Sequence, residues 1–529
     1  MRTRSLELAN TLAVAAALAA LVVWSFSVRY GILTETPFPV GVDGYFYPIQ
    51  LRSLLDHGAL AYPASPLGFW LMAPLAALTD PMTGAKLGAA LFGALIALPA
   101  YGVGARLGKS RGAGLLAAAL ATTSAGSMFL TIEFVKNGIG LTVGLTALWL
   151  VLRALEQRTR MRIGLAVAGV VAALLAHKMA AGLVLVIALP ATIAEAAEAG
   201  ALRGRRLIYA VLGVAALVIL GLVLGLAFPE RFLSPGDASL SRALWESARW
   251  DLPALATPKV LLPMGFEAAI GGVLAILGAL TLAHGRGALV VTVSSLAAKW
   301  LRTVTDASAM PDPATTPSRG ERIAGWVVIG LGLAIALPWL AVSDPQGLGF
   351  RIRIIAFVPM ALCAAIVARA FVVALPRWIA DTSLAVLALA IVLAMPHRRV
   401  QGEILAHPAM VAAAEGLAGR IPEGGIAIVP ERHIAFMVTW YTGAPHRQRP
   451  DAVPRDNRWR VMPLAFIGAG SPLDEALIAA RREPSIAPPI GTHPRHANGL
   501  VIVAEPTWEW ILVHLPPAAR DYFTRWPTI

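Results

Sequence analysis

The chain has 529 residues, of which 57% are hydrophobic and only 14% charged, and its mean hydropathy is +0.68. So large an apolar share excludes a soluble globule and places the bulk of the chain in a bilayer. The formal net charge of +13 gathers in Arg-rich turns between apolar runs, which is the mark of cytoplasmic loops in a polytopic protein and not of a nucleic-acid partner.

Apolar runs of about 20 residues recur from the N-terminus to residue 395. They predict an α-helical polytopic fold of about eleven transmembrane helices: 8–28, 86–105, 112–130, 138–155, 163–175, 179–193, 207–228, 264–283, 323–342, 354–373 and 379–395. The first run could pass for a signal peptide, but it is long for one and no small-x-small site follows. It reads as an uncleaved helix whose start, beside Arg2 and Arg4, is cytoplasmic. The apolar piece 66–78 is too short to cross and lies in the outer interface or dips in and returns.

Cytoplasmic turns are expected at Arg106, Lys109 and Arg111, at Arg153, Arg158, Arg160 and Arg162, and at Arg203, Arg205 and Arg206. A cytoplasmic linker follows at 285–322, with an amphipathic stretch (289–301) and a Pro/Asp/Ser/Thr-rich part (306–318). The tail from 397 then falls outside. Its composition is soluble, and short apolar runs at 426–429, 434–440 and 500–504 alternate with helical stretches at 409–418 and 473–481. That pattern predicts a small extracytoplasmic α/β domain, 397–529, after a transmembrane domain, 1–396. The expected setting is the plasma (inner) membrane, multi-pass, with a cytoplasmic N-terminus. The single cysteine, Cys363, lies in an apolar run, so no disulfide framework or Cys-based metal site is implied.

The polar residues of the outer loops carry the chemistry. The first outer loop, 29–66, holds Gly41-Val42-Asp43-Gly44-Tyr45-Phe46-Tyr47, one carboxylate beside three aromatics, ahead of a short amphipathic helix ending at Gly58. Glu133, Lys136 and Asn137 lie in the second loop, and His177 and Lys178 in the third. Glu246 and Trp250 lie in a long fourth loop, 229–263, and Arg351 and Arg353 in the fifth. Ionisable groups this close to a bilayer need partners or a water-filled cavity. Together they describe an outer cavity with acids for proton abstraction or metal binding and cations for phosphate. Arg suits phosphate best because its planar fork makes paired contacts. Taken singly, Asp43 could be a solvated loop residue, and Lys178 or Arg353 could simply snorkel to the headgroups. Two motifs carry no chemistry. Gly104-Ala-Arg-Leu-Gly108-Lys109-Ser110 resembles a phosphate loop, but position 103 is Val and no strand precedes it. His493 and His496 have no acidic or Cys companion.

Several stretches occur in a telling order: the Asp43 loop, the short helix, Gly93-Ala-Leu-Ile-Ala-Leu-Pro-Ala-Tyr101, then Arg106-Leu-Gly-Lys109-Ser-Arg111, and Ser124-Ala-Gly-Ser127 before a polar outer motif. Over residues 8–155 this order resembles the N-terminal module of the GT-C membrane glycosyltransferases, the oligosaccharyltransferase catalytic subunit above all, with the aminoarabinose and protein-mannosyl transferases. Gly349-Phe-Arg351-Ile-Arg353 ahead of a span and the external tail extend it more weakly. The resemblance implies an enzyme that moves a sugar from a polyprenyl-phosphate or -diphosphate carrier to a glycan, lipid or protein acceptor at the outer face. Asp43 would be catalytic. Tyr45, Tyr47, Glu133, Asn137, Glu246 and Trp250 would serve the acceptor and sugar. Arg351, Arg353, Lys136, His177 and Lys178 would serve the lipid phosphate. No cofactor is certain: a divalent cation, Mg or Mn, if any, would lie with Asp43 and Glu133, and Lys136 offers a cation that could take over part of the phosphate neutralisation instead. The sequence departs from the pattern where the second loop should carry a metal-binding Asp, for Val135 stands there. The tail's Trp-Trp-Asp motif is replaced by Thr439-Trp440-Tyr441-Thr442-Gly443. The competing readings are a transporter or flippase for an anionic lipid or solute, which should show inverted repeats, and a non-catalytic assembly subunit of the same fold.

The topology is testable directly. A reporter active only in the cytoplasm, fused after Ile529, is expected to stay silent, and a strong signal would reverse the orientation.

Overall fold

The computed structural model describes residues 2–200, 221–227, 262–283, 318–337, 348–394, 408–451, 453–463, 467, 470–491 and 499–525, with scattered positions between 205 and 243. Glu246 and Trp250 with most of the fourth outer loop, most of 207–228, the linker 285–317 and the pair His493 and His496 lie outside the described residues. The chain divides into two compact units. One comprises Met1–Ile32, Tyr62–Met72 and Lys86–Val400, the other Leu33–Ala61, Ala73–Ala85 and Gln401–Ile529.

The helices up to residue 394 are α1 (Arg2–Leu33), α2 (Phe46–His57), α3 (Leu67–Leu78), α4 (Pro81–Leu95), α5 (Ala97–Gly108), α6 (Arg111–Thr123), α7 (Ala125–Ile132), α8 (Val135–Glu156), α9 (Arg160–Ala176), α10 (Lys178–Glu198), α11 (Leu262–Ala283), α12 (Arg319–Ala336), α13 (Leu348–Ile354), α14 (Phe357–Ala374) and α15 (Arg377–Ala394). Among the described residues, six helices are long and apolar enough to cross a bilayer, and eight if the bent pairs α6–α7 (47°) and α13–α14 (42°) each make one span. The chain is a multi-pass membrane protein. The predicted eleven spans are not reached among the described residues, for physical reasons. The 207–228 run is mostly undescribed, α9 has only 17 residues, and the first turn of α12 carries Arg319, Glu321 and Arg322. The piece expected to be too short to cross forms the 12-residue helix α3, interrupted by Pro74.

Within the first unit the Arg-rich turns meet at one end of the bundle and are tied together by acids. Arg106 pairs with Glu156 at 2.6 Å and Lys109 with Glu321 at 2.5 Å. Arg158 pairs with Glu195 at 2.9 Å. Glu195 also accepts from the Gly320 amide, and Asp381 accepts from the Ser110 hydroxyl and the Gly112 amide. Five helix junctions are thereby locked: α5–α6, α8–α9, the end of α10, the start of α12 and the start of α15. The stretch that resembled a phosphate loop is one of them. Lys109 caps α5 in the left-handed conformation (φ 56°), and Ser110 caps α6 by accepting from the Ala113 amide. Gly108 permits that turn, since a Cβ there would come within 2.4 Å of the Ala113 Cβ and 2.5 Å of the Ala365 carbonyl oxygen.

The second unit contains α16 (Pro408–Glu415), α17 (Arg432–Thr442), α18 (Pro472–Ala480), α19 (Glu505–His514) and α20 (Pro517–Arg525). Its strands are β1 (Ile426–Ile428), β2 (His446–Arg447), β3 (Arg458–Pro463), β4 (Ile490–Gly491) and β5 (Leu500–Ala504). They form one mixed sheet in the order β2-β1-β3-β5-β4, with β1 parallel to both neighbours and β5 antiparallel to both of its own. The apolar stretch 434–440 is helical, within α17, and Gly443 ends it in the left-handed region (φ 74°). Leu473, Leu477, Val501, Val503, Trp508 and Ile511 form the core behind β3 and β5. Arg460 is buried against Glu505 at 2.8 Å, with its guanidinium over the Trp508 ring.

Glu321 holds the bundle's charged end, with 4% of its side chain exposed, and it closes the capping box of α12 with Ser318. Glu321→Gln is expected to destabilise the detergent-solubilised chain by about 3 kcal/mol, because half-buried Lys109 loses its acid and Arg106 keeps only Glu156. Glu156→Gln, at a side chain 48% exposed, should cost less than about 1 kcal/mol. Melting temperatures of the two variants check the contrast.

Candidate functional site

Asp43 sits on a tight turn fixed by its backbone. Gly41 lies at φ 88°, the Gly44 amide donates to the Gly41 carbonyl at 3.1 Å, and the Phe46 amide donates to the Asp43 carbonyl at 2.9 Å. Position 44 admits no side chain, since a Cβ would stand 2.8 Å from the Val40 carbonyl oxygen and 2.9 Å from the Pro39 Cβ. The turn leads into α2, which ends at Gly58 (φ 68°).

The loop and α2 belong to the same unit as the tail, and they pack along α17. Arg432 Nε lies 2.8 Å from Asp43 Oδ1, and its Nη2 donates to Oδ2 at 3.3 Å. The Phe46 and Phe436 rings meet edge to face at 5.2 Å. The Tyr45 and Tyr441 hydroxyls are 3.2 Å apart. Arg52 lies over the Trp440 ring at 4.2 Å and donates to the Trp440 carbonyl at 3.2 Å. Tyr45 and Tyr47 are buried at 5% and 4% exposure, so both rings serve as packing under the loop.

The remaining candidates lie in the first unit, at the helix breaks away from the charged end. Phe134 (φ −130°, ψ 56°) separates α7 from α8, leaving Glu133 as a buried cap of α7 and Lys136 and Asn137 in the first turn of α8. His177 separates α9 from α10 and is buried beside Gly140 of α8, where a Cβ would approach the His177 Cβ to 2.4 Å. Lys178 opens α10. The segment 348–354 is helical, so Arg351 and Arg353 project about 200° apart. Arg353 is buried at 6% exposure and Arg351 is half-buried, and the Nε of each lacks a hydrogen-bond partner among the described residues. This helix packs on α7, with Phe350 6.4 Å from Phe129 and the Ile354 carbonyl against Gly126. Val135, standing where the resembling pattern carries an acid, is buried and lines a small apolar cavity with Leu130, Ile139 and Phe357. Among the described residues no three of His, Cys, Asp and Glu stand close enough to hold a metal ion.

Two charges in the first unit, one buried and one half-buried, were not anticipated from the sequence. Arg29, fully buried near the end of α1, donates to the Ser25 and Ser127 hydroxyls, to the Thr131 hydroxyl and to the carbonyls of Thr122 and Ser127. Glu267, on α11, accepts from the amides of Ala125 and Gly126 at the start of α7. The signal for each was a lone charge in an apolar run, which is informative only once a partner is known.

Burial also tunes the tail. The Tyr45 phenol is pushed well above its ordinary range, first by burial and then by its bond to Tyr441. Burial likewise raises the Glu431 carboxyl. His446 is held down to about 4 by burial, reinforced by the charges of Arg447 and Arg432. Its Nδ1 lies 2.8 Å from the Thr439 hydroxyl, and its ring meets Phe436 edge to face at 4.8 Å.

No protein-family model matches the sequence, and no curated protein matches it. Among solved structures the chain is similar to ArnT from Cupriavidus metallidurans in the apo state, at 14% identity and a TM-score of 0.46, over 94% of this chain and 99% of that one. It is similar also to the crystal structure of the same protein bound to undecaprenyl phosphate, at 14% identity and a TM-score of 0.46, over 93% of this chain and 97% of that one.

The depressed His446 has a pH consequence. Between its ordinary value of 6.5 and about 4, the unfolded tail binds a proton that the folded tail refuses. The associated stability is therefore fully present above about pH 6.5 and is lost as pH falls toward 4, to a total of about 3 kcal/mol. The urea midpoint of tail unfolding, followed in the full chain by the 5-fluorotryptophan signal of Trp508, should fall over that window. His446→Gln should remove its share of the slope.

Proposed function

We propose that this chain is an integral membrane glycosyltransferase of the GT-C type, transferring a sugar from a polyprenyl-phosphate or -diphosphate carrier to an acceptor at the extracytoplasmic face. One observation carries the reading. Arg353 is buried at a helix break, its Nε unmatched among the described residues, at the end of the bundle away from the acid-paired turns. A buried guanidinium without an acid is costly unless an anion comes to it. A lipid phosphate, whose tail need never leave hydrocarbon, supplies one. The Arg-rich end of the bundle faces the cytoplasm on charge grounds, and the opposite breaks then face out, in the inner membrane.

The chemistry divides between the candidates. Asp43 orients the acceptor hydroxyl and takes its proton. The acceptor oxygen bonds to the anomeric carbon of the sugar as the bond from that carbon to the carrier phosphate oxygen breaks, the electron pair leaving on the phosphate. Arg353 stabilises that growing charge. Lys136, His177 and Lys178 add positive or hydrogen-bonding groups, and Glu133 and Asn137 contact the acceptor or sugar. The resemblance of residues 8–155 supports the assignment of Asp43, and the helical geometry of α13 supports the choice of Arg353 over Arg351.

With a tritiated polyprenyl-phosphate hexose as donor and native membranes as acceptor source, Asp43→Asn should abolish transfer at matched expression. Unchanged activity would remove Asp43 from the chemistry. Arg353→Lys keeps the charge but loses the fork, so donor affinity should fall by about 1–3 kcal/mol, or roughly five- to 150-fold in KM. Arg351→Lys should be tolerated. Equal tolerance at both positions would move the phosphate site to Lys136 and Lys178.

A further inference from the structure

We infer that Arg432, contributed by the C-terminal tail, is a positioning residue for Asp43, so that α17 belongs to the working apparatus of the first loop. The inference rests on the proposed role of Asp43 and goes beyond it by assigning a role to a tail residue that no sequence motif marked.

Asp43 lies two residues before Tyr45, the N-cap of α2, and so does not hold the capping position itself. Tyr45 makes no side-chain cap bond. The carboxylate pairs with Arg432, whose Nη2 donates to Oδ2 at 3.3 Å and whose Nε lies 2.8 Å from Oδ1 without hydrogen-bond geometry. The backbone of the turn is fixed by the close contact at Gly44, and Arg432 restrains the side-chain rotation of Asp43.

Arg432 is itself well placed to do so. Its guanidinium lies 5.8 Å from the Phe436 ring centre, one turn along α17, and Phe436 in turn packs on Phe46. Further along, Trp440 meets Arg52 and Tyr441 meets Tyr45. Three contacts besides the ion pair therefore hold the first loop and α2 against α17. The Arg432 side chain is 43% exposed, so the pair contributes little to stability. Its effect is on geometry.

The test uses the full-length chain in liposomes with a tritiated polyprenyl-phosphate hexose as donor. Arg432→Gln should lower kcat on the order of ten- to a hundredfold, the cost of a misplaced reacting group, with donor KM and melting temperature unchanged. Arg432→Lys should recover part of the rate, and it serves as the reading if the Gln variant folds poorly. Asp43→Asn combined with Arg432→Gln should be no slower than Asp43→Asn alone. Wild-type turnover in Arg432→Gln, with Asp43→Asn inactive, would overturn the inference and leave the glycosyltransferase reading standing. A faster Arg432→Gln would also overturn it, by showing that the arginine holds Asp43 away from its task. Full activity in Asp43→Asn would remove the reading and the inference together.

Discussion

The membrane unit turns on how a helix can be broken inside a bilayer. At Ser124 the backbone is extended (ψ 146°), and α6 ends where α7 begins. A break exposes carbonyls on one side and amides on the other, and hydrocarbon can satisfy neither. The protein answers each with the matching charge. Arg29 donates to the Thr122 carbonyl near the end of α6, and Glu267 accepts from the first amides of α7. The cation sits at the negative end of one helix dipole and the anion at the positive end of the next. One break thereby binds α1 and α11 to the centre of the bundle, and Gly126 lets α13 close over it.

From that arrangement follows the difference between the two ends of the bundle. At one end the junctions are locked by Glu156, Glu195, Glu321 and Asp381, each with a basic partner or a helix amide. At the other, helices start and stop abruptly at Phe134, His177 and residues 355–356, and buried polar side chains collect there. The first end is built to hold still. The second includes the buried Arg353.

Much of this was legible in advance because hydropathy and charge act over long stretches. The apolar runs, the gathering of Arg in alternate turns, and the short helix closing at Gly58 all follow from local composition. What could not be read were pairings between distant residues. Nothing near Asp43 announces Arg432, 389 positions away, and nothing near Arg29 announces Thr122. The stretch 434–440 also misled, because a short apolar run has no period of its own. Its helical state depends on Phe436 and Trp440 finding Phe46 and Arg52 on one face. The orientation of Arg351 and Arg353 was undecidable from spacing alone, since it depends on whether that segment is helical. Its helical state buries one and leaves the other at the edge.

The outermost helix shows a different economy. Only 11% of the apolar window of α1 is buried, and its inward stripe is thin: Val14, Leu18, Leu21, Val22, Ser25 and Arg29. Most other positions in that window face outward from the bundle. Over generations such a helix is free to drift among Ala, Leu and Val with no loss of fitness, while its inner stripe and above all Arg29 stay fixed. Two descendants of one ancestor could then share almost no identity along α1 and still anchor it by the same guanidinium. In a chain with so much lipid-facing surface, kinship would persist in a few buried polar atoms long after it had faded from the alignment.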